Sequence, residues 1–138
     1  MRFLMVLALI VLTAQKPRLV KITVRLLEIR PDKGGVLHVG LHGAPGTGFP
    51  GRSPISNKDA RPTTSETILV FDAEPGTYAV AVHHDANSNG KVDTNFLGIP
   101  REGYGVSNDP RPRFRAPRFE EARVVVSRDT TLTVRMAY

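Results

Sequence analysis

Residues 67–85 read TILVFDAEPGTYAVAVHHD, and this stretch decides the fold. Residues 67–71 form a short apolar, strand-like run, and Asp72, Ala73, Glu74, Pro75 and Gly76 make a strong turn signal. Beyond the turn, Tyr78, Val80 and Val82 alternate with Ala79 and Ala81. A period of two with apolar residues in both phases describes a strand buried on both faces. That strand delivers His83, His84 and Asp85 to the end of a sheet.

Upstream the period is again two. Val20, Ile22, Val24 and Leu26 alternate with Lys21, Thr23 and Arg25, as in a strand with one buried face. Leu27 and Ile29 shift the apolar phase, so a bulge or strand end is expected near Leu27. Asp32, Lys33, Gly34 and Gly35 signal a turn, and Leu37, Val39 and Leu41 then alternate with His38, Gly40 and His42. The two runs read as a hairpin. Histidines four apart on a strand stand about 13 Å from each other at ~3.3 Å per residue, so His38 and His42 are assigned to a polar face rather than to one metal ion. Residues 43–66 hold many prolines and glycines without a period and are expected to be a long loop.

Downstream, residues 123–127 form a strand, Arg128 and Asp129 turn the chain, and the last strand carries Leu132, Val134 and Met136 inward. Six strands, tight turns and no helical period after the N-terminal segment predict an all-β protein with a single β-sandwich domain over residues 15–138.

Between these elements lies HDANSNGKVDTNFLGIPREGYG, residues 84–105. Calcium takes six to eight oxygen ligands, and a turn with Asp or Asn at every second position supplies them. Asp85, Asn87 and Asn89 offer side-chain oxygens, Gly90 permits the reversal, Lys91 offers its carbonyl, and Asp93 follows. The position where an EF-hand supplies a bidentate Glu is Phe96, and a strand precedes the loop, so an EF-hand is excluded. Glu102 is the nearest candidate for an extra ligand. With so few charged ligands the affinity would be weak, about 0.1 to 1 mM. The competing reading is that the same Asx side chains cap neighbouring amides and simply fold the turn.

The N-terminal residues 1–14 have a basic start at Arg2, an apolar run and small residues up to Ala14, the layout of a secretory signal peptide. The run is too short for a spanning helix, which needs roughly 20 apolar residues. Export to the periplasm, cell surface or medium is therefore expected, with no transmembrane segment after cleavage. The chain has no Cys, so neither disulfides nor a lipidated Cys enter the argument. The formal net charge is +6, and Arg111, Arg113, Arg115 and Arg118 concentrate the excess. They form a candidate anion-binding patch for phosphate, glycan or lipid headgroups, or else a solvated loop held extended by Pro110, Pro112 and Pro117. No nucleic-acid module accompanies them, and nucleic acid is not an expected partner.

The string PGTYAVAVHHDANSNGKVDTNFLGIPREGYGVSND, followed by PRFEEA and a closing strand, resembles the DUF2141 family of bacterial proteins. The resemblance spans nearly all of the chain after the leader, including the early GGVLHVGLH strand. It implies an exported β-sandwich of the immunoglobulin-like or transthyretin-like kind, and it implies no established activity.

Catalysis has little support in the residues. No G-x-S-x-G elbow exists, and adjacent His83 and His84 should face opposite sides of their strand. The preferred expectation is a non-catalytic module that binds a protein, glycan or envelope component. The alternative is a hydrolase or isomerase with a site built from the 83–105 loop and His84. A concave site beside that loop with a buried, perturbed acid or histidine would raise the enzyme reading.

Overall fold

The computed structural model describes residues 13–138, so the expected leader lies outside the description except for Thr13 and Ala14. Among the described residues eight strands form two sheets: β1 (Val20–Leu27), β2 (Val36–Gly43), β3 (Ser56–Ala60), β4 (Thr67–Ala73), β5 (Gly76–Asp85), β6 (Gly103–Val106), β7 (Val124–Val126) and β8 (Thr130–Arg135). Sheet I has the order β4-β1-β8, and sheet II runs β3-β2-β5-β6, with β7 pairing the first part of β5. β1 is antiparallel to β4 and parallel to β8. The only α-helical turn among the described residues is α1 (Phe119–Ala122).

The alternation seen in the sequence fixes which residues meet between the sheets. Ile22, Val24 and Leu26 of β1 are buried against Leu37, Val39 and Leu41 of β2 and Val80 and Val82 of β5, with Phe71 and Val134 completing one core. Burying each of the larger side chains is worth about 1.5–3 kcal/mol relative to exposure. The far face of sheet I is solvated and carries the pairs Lys21–Asp72 and Arg25–Glu66. Among the described residues no helix is long and apolar enough to cross a membrane.

The expectation of a hairpin between the first two strands is corrected: β1 and β2 belong to different sheets. β1 does end at Leu27, where Glu28 takes a left-handed φ of 62°. A 3-10 turn, Pro31–Lys33, then carries the chain across to sheet II. Gly35 is required on arrival, because its φ is 74° and a Cβ there would collide with the backbone of Asp85 and Ala86.

Two strands were not expected. β3 lies inside the segment read as a loop, because all but the last of its residues are exposed and so leave no hydrophobic period to detect. β6 is short, and Gly103 and Gly105 occupy its inward positions opposite His84 and Val82. A Cβ on Gly103 would strike the Tyr138 ring, and one on Gly105 would press on Val134 and Arg135. The missing side chains let the C-terminal segment close over the strand.

Candidate functional site

Sheet II presents its second face away from the core, and the register places titratable groups in one row across four strands. Asp59 of β3 pairs with His38 of β2, His38 with His83 of β5, and His83 with Tyr104 of β6. The next row on the same face is Asn57, Gly40, Ala81 and Val106. Gly40 and Ala81 leave a hollow beside the histidines because they carry little or no side chain. A third row is closed: His42 and Ala79 lie under Phe49 and α1, with Phe119 and Ala122 buried there.

His38 and His83 stack at 6.1 Å between ring centroids. His38 Nδ1 donates to Asp59 Oδ1 at 2.8 Å, and its Nε2 lies 3.5 Å from Asp85 Oδ2. His83 Nε2 donates to Glu102 Oε2 at 2.7 Å, since a carboxylate can only accept. Burial opposes a charge on His38, but Asp59 and Asp85 outweigh it and raise its pKa above the ordinary value of 6.5. Burial likewise works against ionised Asp85, and the amides of Gly90 and Asn89, with His38 and His83, overcome it and hold the carboxyl below its usual range. The row is therefore a set of charge-assisted histidine–carboxylate pairs.

The central loop grows from the end of this row. Asp85 is buried; its Oδ1 accepts the Asn89 amide at 3.1 Å and its Oδ2 the Gly90 amide at 2.8 Å. Asn87 Oδ1 accepts from Asn89 N, and Asn89 Oδ1 from Lys91 N. The side-chain amides of Asn87 and Asn89 donate to Asp93. Glu102 ties both ends, accepting the Ala86 amide on Oε1 at 3.0 Å and the Asp93 amide on Oε2 at 3.4 Å. These oxygens therefore fold a self-capped turn, and with two lone pairs each they keep acceptor capacity beyond the amides they hold. Among the described residues no group of three or more His, Asp or Glu side chains is gathered where a metal ion could be held.

The loop and the arginine segment wall in the row. A cleft of about 780 Å³ has His38, Asn57, Asp59, His83 and Tyr104 on its floor, with residues 97–100 and 112–117 among its sides. That volume lies within the ~300–1,000 Å³ typical of small-molecule sites. Leu97, Ile99 and Phe114 supply apolar side chains to the walls. Of the candidate anion patch, Arg115 is held by Glu121 at 2.8 and 2.6 Å, and Arg111 donates to the Arg135 carbonyl and lies 5.4 Å over the Tyr104 ring. Arg113 and Arg118 make no ion pair among the described residues.

Two histidines depart from their expected places. His42, assigned to a polar face, is 2% exposed, and its Nδ1 has no partner among the described residues. A lid of loop and helix covers that face, which period alone did not foretell. His84 is fully buried, as its opposite phase to His83 requires. The Gly34 carbonyl accepts from His84 Nε2 at 2.6 Å, so Nδ1 accepts the Tyr138 hydroxyl at 2.7 Å. That histidine anchors the C-terminus and does not face the cleft.

Asp59, Tyr104 and the place of His38 in the site carry no motif in the sequence. The available signal was phase: His38 and His83 both oppose apolar core positions on their strands. Pairing those strands in register was the missing step.

A family model described as "Uncharacterized protein conserved in bacteria (DUF2141)" matches residues 24–134. No curated protein and no solved structure matches the chain.

Proposed function

The chain belongs to the DUF2141 family, and on that premise we propose that it is an exported, non-catalytic binding module of the cell envelope. Its cleft over sheet II takes a small ligand that is polar at one end and apolar along its body. The observation that carries this reading is the in-register row Asp59–His38–His83–Tyr104 beside the hollow at Gly40 and Ala81, under apolar walls. A polar head finds donors and acceptors on that floor. An apolar body is desolvated by Leu97, Ile99 and Phe114.

The test is an NMR titration of the labelled protein with two probes of this shape, octyl glucoside and octanoate. Shifts concentrated at His38, His83 and Tyr104 are expected, and Asn57→Trp, which fills the cleft from an exposed edge position, should abolish them. Shifts scattered elsewhere, or unchanged in Asn57→Trp, would sink the proposal.

One observation favours a second reading, general acid–base catalysis. His38 stands between two carboxylates, opens on the cleft, and has its pKa raised. Recovery of a bound natural ligand in chemically altered form, with the alteration lost in His38→Gln and His83→Gln, would establish that reading in place of binding alone.

A further inference from the structure

Two loop tips leave large apolar side chains in water. Residues 94–100 form a small hairpin, closed by the Thr94–Pro100 bridge and by the Asn95 amide donating to the Ile99 carbonyl at 2.9 Å. Phe96 and Leu97 sit at its tip, 96% and 69% exposed. On the arginine segment, Phe114 is 94% exposed. Leu97 and Phe114 line the same cleft, so the tips rise from one side of the molecule. An aromatic ring can bury roughly 150–250 Å², and neither Phe ring finds cover among the described residues.

Charge indicates what covers them. Lys91 and Arg101 flank the hairpin base and Arg113 adjoins Phe114, and none of the three makes an ion pair among the described residues. The acid within the hairpin's base, Asp93, accepts the side-chain amides of Asn87 and Asn89 and keeps its charge, so it offsets one of the three cations and leaves the rim positive. Apolar tips above uncommitted cations complement a surface that is negative outside and apolar beneath.

We propose that these two tips dock the protein on an anionic lipid surface, with Phe96, Leu97 and Phe114 entering the headgroup boundary while Lys91, Arg101 and Arg113 meet lipid phosphates. This attachment shares Leu97 and Phe114 with the cleft wall, whereas Phe96 lies outside the cleft, so Phe96→Ala alone separates lipid docking from ligand uptake.

Co-sedimentation with vesicles tests it, using protein recovered after expression from its full coding sequence. Phosphatidylcholine vesicles containing phosphatidylglycerol are expected to bind it more tightly than phosphatidylcholine alone, and the difference should collapse at high salt. The Phe96→Ala, Phe114→Ala double variant should lower partitioning about tenfold or more. Arg113→Ala should lower it roughly fivefold. Every variant keeps the same N-terminus, and circular dichroism checks its fold. Equal binding to both vesicles, no binding to either, or binding that the double variant retains overturns the proposal and leaves the tips as contacts for a protein.

Discussion

The outer face of sheet II is built in two ways along the same strands. Near the start of β5, Ala79 lies beneath Phe49, Phe119 and Ala122, and Ser107 bridges the Val80 amide and the Ala122 carbonyl. Near its end, His83 belongs to a polar row under an open cleft. Small residues occur in both halves. Under a lid they admit close packing, and without one they leave space for a ligand. The difference lies in what the loops bring, aromatic rings from Phe49 and α1 in one half and a self-bonded Asx turn in the other.

The largest effect that would sharpen this contrast comes from truncating one phenylalanine in each half. Phe119→Ala should cost about 3–5 kcal/mol in denaturant unfolding, whereas Phe114→Ala should stay within roughly 0.5 kcal/mol. Similar costs at both positions would break the division into sealed and open halves. Tyr138→Phe comes next, because it removes the hydroxyl that serves His84 Nδ1 and the Arg30 amide. A loss of about 1–3 kcal/mol is expected, while the NMR signals of the cleft row stay in place.

The two halves should also respond oppositely to pH. His42 has its pKa lowered by burial from 6.5, so the fold favours its neutral form. Its contribution is present above 6.5 and is lost as pH falls through the interval below that value. His38 has a raised pKa; its contribution is full below 6.5 and is lost as pH rises through the higher folded value. Melting of His42→Leu should therefore show less acid loss than the parent, and His38→Gln less loss on the alkaline side. The same sign for both would refute the assignment.

The smallest expected effect concerns the turn itself. Since no group of three or more carboxylates is gathered at Asp85, Asn87 and Asn89 among the described residues, added calcium should leave the melting temperature unchanged. A calcium-dependent rise that disappears in an Asp85→Asn, Asp93→Asn double variant would restore the ion-binding account of the loop.

Much of the sheet architecture follows from alternation that is plain in the chain. The phases of residues 20–26, 37–42, 78–85 and 132–136 assign most of the core side chains, and the doubly buried character of β5 is evident from its alternating alanines. β3 escaped because an exposed edge strand has no apolar phase, and β6 because glycines occupy its inward positions. The candidate site was half legible. Asp85, Glu102 and the Asx positions stand out by spacing, but Asp59, His38 and Tyr104 reach His83 only through strand register.

By itself, the sequence determined six of the eight strands, their core faces, the Asx-rich turn and the family, because each depends on local periodicity or on a contiguous string. Tertiary structure decided that β1 and β2 part into different sheets, that His84 is sealed while His83 faces a cleft, and which half of the outer face is covered. Those outcomes depend on which strand lies beside which and where a distant loop comes to rest. No local pattern carries that information, since a histidine has the same sequence phase whether a lid or a cleft lies above it.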